Sequence, residues 1–123
     1  MTRIQAFVTA AKAFIDCARD SPSKQANERL AYYGAAAECY LEIHDLKRAG
    51  DNYRMAKQYD AAARNYREGG HFEELVVVIT QHGNAMSSVL RERSRMAAQM
   101  HYFKVRFNDR LFPNASNFLR LSV

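Results

Sequence analysis

The sequence predicts an all-α fold: an α-solenoid of short antiparallel helical hairpins, about 13 residues per helical unit, followed by a longer C-terminal helix. Two observations carry the prediction. The first is composition. Only two prolines and five glycines punctuate 123 residues, and alanine is abundant, which favours helix. The second is an internal repeat. Cut at every thirteenth residue from Tyr32, the chain reads YYGAAAECYLEIH, DLKRAGDNYRMAK, QYDAAARNYREGG and HFEELVVVITQHG. The second position holds Tyr33, Leu46, Tyr59 and Phe72, and the fifth holds Ala36, Ala49, Ala62 and Leu75. The sixth holds Ala37, Gly50, Ala63 and Val76, and the ninth Tyr40, Tyr53, Tyr66 and Ile79. These columns fall at i, i+3, i+4 and i+7, one face of an α-helix. A helix of about ten residues does not persist alone in water, so each unit must stack on its neighbours.

Taken in order along one domain, residues 1–20 read as a helix with Ile4, Phe7, Ala11, Phe14 and Ala18 on one face. DSPSKQ (residues 20–25) reads as a loop, and residues 24–83 carry the repeats, the first of them on a helix that runs unbroken for two units. Asp45, Gln58 and His71 each precede a helix; Asp is a good N-cap and the other two are weaker substitutes. Gly69, Gly70 and Gly83 fall at unit ends, where a left-handed C-cap suits glycine. Ala49-Gly50-Asp51-Asn52 has the local chemistry of a turn, yet the repeat places it mid-helix, with Gly50 in the slot that Ala37 and Ala63 fill elsewhere. The frame predicts a helix from Asp45 to Met55 and a break near Lys57-Gln58. It also places Ala49 and Gly50 against a neighbour, with Asp51 and Asn52 in solvent. Residues 84–111 read as a long basic amphipathic helix, its apolar face made of Met86, Val89, Leu90, Met96, Ala97, Met100, Phe103, Phe107 and Leu111. Pro113 stops it, and residues 112–123 form a tail.

Charge is unevenly placed. Residues 1–83 hold 11 Lys/Arg and 11 Asp/Glu; residues 84–123 hold 7 basic and 2 acidic residues, so the whole formal charge of +5 belongs to the C-terminal third. On the long helix Arg91, Arg95, Gln99, Tyr102, Arg106 and Arg110 project within an arc of about 100°, opposite the apolar residues. Such a face is read first as a solvated polar surface, next as a site for an acidic protein partner, and then as a nucleic-acid-binding face, where arginine suits phosphate and tyrosine can stack. Arg93 falls toward the apolar side, where it snorkels or pairs with a carboxylate. The tyrosine columns coincide with the packing face and are read as core rather than as a base-stacking row.

Enzyme chemistry finds no purchase. The four histidines and two cysteines form no C-x-x-C, H-x-x-x-H or H-E-x-x-H arrangement, and no serine or cysteine lies in a nucleophile elbow. No catalytic residue, cofactor or metal ligand is expected. Cys17 and Cys39 read as buried small hydrophobes, and Asn114-Ala115-Ser116, a glycosylation sequon, carries no weight without a secretory signal. No apolar run is long enough to span a membrane. The N-terminus alternates apolar and polar residues instead of forming a signal peptide, which points to the cytoplasm or nucleus.

The run AAAECYLEIHDLKRAGDNYRMAKQYDAAARNYREGGHFEEL resembles degenerate tetratricopeptide-like repeats of the form A-x-x-Y-x-x-A-G-D-Y-x-x-A-A-x-x-Y. Vesicle-coat and intraflagellar-transport subunits carry such arrays, as do large fungal helicase-like proteins of the tetratricopeptide and ankyrin repeat-containing type. GGHFEELVVVI followed by a long basic helix looks most like the last. The resemblance covers residues 30–83 and departs from the full tetratricopeptide pattern in having no tryptophan and a shorter period. It implies a non-catalytic scaffold for protein–protein interaction within a larger multidomain protein, with no G-x-x-x-x-G-K-[ST] phosphate loop in this chain. The alternative is a nucleic-acid-binding accessory module that uses the basic face. Interior repeats expose an apolar end wherever an array is cut, which permits self-association.

Overall fold

In the computed structural model, which describes residues 1–22 and 26–111, every described element is helical. The six α-helices are α1 (Arg3–Asp20), α2 (Ala26–Glu42), α3 (Leu46–Met55), α4 (Tyr59–Glu68), α5 (Phe72–His82) and α6 (Ser88–Leu111), with a 3₁₀ turn at Gly83–Ala85. Each helix packs on the one that follows it, and the start of α6 also meets α4. No helix among the described residues is long and apolar enough to cross a membrane. Part of the expected DSPSKQ loop (residues 23–25) and the expected tail (residues 112–123, with the sequon) lie outside the described residues.

α1 opens on a capping box. Thr2 Oγ1 accepts the Gln5 N–H (3.1 Å) while Gln5 Oε1 accepts the Thr2 N–H (2.8 Å). Of the face expected for this helix, Ala11 and Ala18 are fully buried and Phe14 packs against the core, whereas Ile4 stays exposed. Arg3 lies over the Phe7 ring, 4.9 Å from its centroid, and reaches across to Glu42 on α2 (3.1 Å).

Helices α3, α4 and α5 start thirteen residues apart, and so do the turns before them. His44 (φ 56°), Lys57 (φ 60°) and Gly70 (φ 74°) each take the left-handed conformation. The N–H groups of Asp45, Gln58 and His71 then donate back to the carbonyls of Tyr40, Tyr53 and Tyr66 at 2.8–3.0 Å. Those are the six-to-one bonds of a Schellman C-cap, and the donor of each is the N-cap of the next helix. One residue therefore ends one helix and begins another, which is why the unit is as short as thirteen residues. Asp45 caps with its side chain (3.3 Å to Arg48 N), while Gln58 and His71 make no side-chain cap bond. Gly69 and Gly83, also expected in left-handed caps, are right-handed instead; Gly70 takes the left-handed position after Gly69, and after Gly83 the chain continues into the 3₁₀ turn.

The core follows the repeat columns. Ala36, Ala37, Ala49, Ala62, Ala63, Tyr66, Leu75 and Val78 are fully buried, and Tyr33, Tyr40 and Tyr53 nearly so, which puts these four tyrosines in the core, while Tyr59 is half-buried against it. Gly50 lies mid-helix, and a Cβ built on it would meet the Tyr66 ring at 2.6 Å. No substituent fits between α3 and α4 at that height. The Tyr66 hydroxyl donates to Asp51 Oδ1 (2.5 Å), which satisfies a phenol buried with its ring. Asp51 and Asn52, expected in solvent, are thus placed otherwise. Asp51 faces α4, and Asn52 is 8% exposed with its amide donating to Arg48 O (2.8 Å). Asn65, thirteen residues on, makes the same bond to Ala61 O (2.7 Å). Both occupy the eighth column of the repeat, which Val78 fills in α5; that column is part of the packing face.

Two outcomes follow. Gly50→Ala should lower stability by about 1–3 kcal/mol in chemical denaturation, because overpacking against Tyr66 outweighs a helix-propensity gain of about 1 kcal/mol. Gly50→Leu should do more damage still. Burial, and then the Asp51 hydrogen bond, hold the Tyr66 hydroxyl well above the ordinary tyrosine value of 10.0. Above pH 10 the unfolded chain therefore ionises first, and stability falls as pH rises. Tyr66→Phe should cost about 1.5 kcal/mol at pH 7 and flatten the decline above pH 10. Some slope should remain, since burial also raises Tyr53.

Candidate functional site: the α5–α6 groove

α6 is anchored at its N-terminal end. Ser87 Oγ accepts the Leu90 N–H (3.2 Å), and Asp60 Oδ1 on α4 accepts the Ser87 N–H (3.0 Å). Arg91 Nη1 donates to Gly83 O (3.4 Å), and the Phe72 and His101 rings stack with centroids 4.2 Å apart. The last pair ties the start of α5 to the middle of α6, so the two helices run antiparallel. At about 1.5 Å per residue α6 is some 36 Å long, and its last turns pass beyond the start of α5.

The face of α6 that packs shares only Leu90 with the expected one. Leu90, Ser94 and Ala98 are buried, at i, i+4 and i+8. The Ser94 Oγ is buried and, among the described residues, has no hydrogen-bond partner. Most of the expected apolar face instead points outward. Phe103 is 64% exposed and Met96 59%, and Val89, Met100, Phe107 and Leu111 are all more than half exposed. Met86 is buried but precedes the helix, and Ala97 is half-buried. Arg93 lies exposed beside this stripe. The outcome is a contiguous apolar strip on the surface along most of α6. Monomeric soluble proteins rarely expose one without a binding role.

The basic face divides. Arg95, Gln99, Tyr102 and Arg106 line a groove of about 610 Å³ between α5 and α6. Its floor is apolar: Val76 and Ile79 from α5, Ala98 and Val105 from α6. Phe103 lies at its edge and, with Gln99, continues onto the apolar strip of Met96 and Met100. Arg91 does not join, since its guanidinium is spent on the Gly83 carbonyl. Arg110 lies exposed near the end of α6, outside the groove. The face is thus neither opposite the packed side nor uniformly solvated; its middle four residues form one edge of an apolar channel. Arg95 donates through Nε to Glu92 (3.0 Å), and this hydrogen bond holds the Glu92 carboxyl below its usual range. Among the described residues no carboxylate pairs with Arg106.

No group of three or more His, Cys, Asp or Glu side chains among the described residues could hold a metal ion. Cys17 and Cys39 are free thiols, Cys17 exposed rather than buried as expected, and burial raises the Cys39 thiol above its ordinary value. Two further aromatic contacts went unforeseen: Tyr59 stacked on His82 (4.0 Å) and Tyr102 edge-on to His101 (5.1 Å). The groove itself was legible only in part. Its cationic edge shows in the spacing of arginines, but its floor needs the register of α6 on α5.

The two faces of α6 should respond oppositely to substitution. Leu90→Ala should cost about 2–4 kcal/mol in chemical denaturation, whereas Met100→Gln and Phe103→Gln should each stay within about 0.5 kcal/mol of the parent chain. Comparisons with protein-family models, with curated proteins and with solved structures found no match for this chain.

Proposed function

We propose that the chain is a non-catalytic helical-repeat scaffold, a tetratricopeptide-like α-solenoid of the kind found in helicase-associated repeat proteins, that binds a protein partner inside the cell. The observation that carries the reading is the recurrence, at thirteen residues, of a complete unit: a left-handed turn residue, an N-cap and a ten- or eleven-residue helix. Units of this kind have no interior of their own and bury their apolar faces only against each other, so a stack of them presents an extended surface rather than a closed catalytic cleft. The outward apolar strip of α6 and the groove beside it supply such a surface. Two free thiols suit a reducing compartment.

The same arginines would serve a nucleic-acid-binding module, and the two readings part in one experiment. Anisotropy of labelled single- and double-stranded oligonucleotides over a salt series should show no binding at low salt. Cross-linking from a photoreactive residue at position 99 should meanwhile capture a protein. A steep salt dependence that flattens with Arg95→Ala and Arg106→Ala would transfer the site to nucleic acid, because each lost phosphate contact reduces the salt slope by about one.

A further inference from the structure

The groove has an unusual position relative to the repeat. In α3 the sixth and ninth columns are Gly50 and Tyr53, and in α4 they are Ala63 and Tyr66; all four are buried. Gly50 shows what covers the sixth column, since the Tyr66 side chain pressed on it comes from the next helix, while Tyr66 itself rests on the preceding one. In α5 the same two columns are Val76 and Ile79, and both are only half-buried. They form part of the groove floor, with Ala98 and Val105 of α6 beside them. The sixth column of α5 is thus left half-open at the place where, between α3 and α4, the side chain of another helix is seated.

Charge selects which helix. Arg106, and Arg95 with its exposed Glu92 partner, stand on the α6 edge, eleven residues and so about 16 Å apart along the helix, close to three full turns. Arg93 and Lys104 lie exposed toward the far side of the apolar strip, and residues 84–123 carry the whole net charge of +5. A second copy of this chain would bring the same arginines to the same edges, so like charges oppose that pairing. Nucleic acid would meet the arginines but leave the apolar floor in water, and a flat membrane surface would not reach Val76 and Ile79 between two helices.

We infer that the α5–α6 groove docks an amphipathic helix of a partner protein, with apolar residues at i, i+4 and i+8 seated on Val76 and Ile79, and carboxylates about eleven residues apart facing Arg95 and Arg106. This rests on the scaffold reading above and gives that partner its chemistry. The recognition mode is a helix laid in a groove, in which apolar anchors provide affinity and edge charges set register and orientation.

Three synthetic sixteen-residue peptides test it, each with the same leucine stripe and with glutamate, glutamine or lysine flanking it. They would be titrated against the full chain by fluorescence anisotropy near physiological salt. The glutamate peptide should bind at least tenfold more tightly than the glutamine peptide and shift the methyl resonances of Val76, Ile79 and Val105. The Arg95→Glu/Arg106→Glu chain, whose exposed substitutions leave its helical circular dichroism intact, should reverse the order and prefer the lysine peptide. Equal affinity for the glutamate and glutamine peptides, no binding of either, or methyl shifts confined to other helices overturns the assignment. So does concentration-dependent sedimentation abolished by Phe103→Gln, which gives the surface to a second copy, or tighter binding to phosphatidylserine vesicles than to any peptide. If cross-linking at position 99 still captures a protein while the peptides fail, the acidic helix alone is displaced; if both fail, the scaffold reading goes with it.

Discussion

The approach of Tyr66 to Gly50 sets the geometry on which the rest of the helical stack depends. The ring rests on a helix backbone at a height where no Cβ fits, which fixes the separation of α3 and α4. Its hydroxyl then reaches the Asp51 carboxylate, one residue along, so a ring and a charge are positioned by the same contact. The carbonyl of Tyr66 also accepts the N–H of His71, which caps α4 and starts α5. One residue thereby links lateral packing to chain reversal. Tyr40 and Tyr53 repeat the carbonyl role at thirteen-residue intervals, which ties the length of each helix to the position of its own packing aromatic.

Much of this was legible in the sequence, because the period acts on backbone and side chains together. A thirteen-residue unit allows about three helical turns and a reversal, and the columns of Ala, Gly and Tyr report the packing face directly. That frame placed Gly50 mid-helix against its local turn chemistry. It did not place Asp51 and Asn52, since a mid-helix Asp-Asn pair reads as polar and solvated. The signal for Asn52 lay in the repeat itself, where Cys39, Asn52, Asn65 and Val78 share the eighth column. A column that accepts both Asn and a fully buried Val is a buried column in which two amides bond their own helix.

α6 was misread for a different physical reason. Hydrophobicity alone favours the Met and Phe stripe, and the sequence has no entry for how closely two helices approach. The true packing face joins one residue of the expected apolar face, Leu90, to two small ones, Ser94 and Ala98, and its central residue is a serine. Small residues were decisive in the α3–α4 contact as well, so a rule already visible in the repeat would have found the face of α6. The basic arc divides with the register: Arg91 makes a structural contact, and Arg95, Gln99, Tyr102 and Arg106 make one side of a groove.

The distribution of charge and the distribution of packing coincide in a way that neither explains alone. The neutral part of the chain, through α5, holds the Ala and Tyr columns that the next helix closes over; the charged part is the helix that leaves its neighbour half-covered. Had α6 carried the same density of arginines on a closely packed face, each guanidinium would have needed a buried partner or would have cost several kcal/mol to desolvate. Placed on the edge of an open channel, Arg106 keeps its hydration and Arg95 its exposed pairing with Glu92 until a partner arrives, and the apolar floor remains available to it. The opening of the α5–α6 pair and the basic edge that lines it are therefore one arrangement. Its consequence is a surface where burial supplies the affinity and the charge of the incoming helix decides whether that burial takes place.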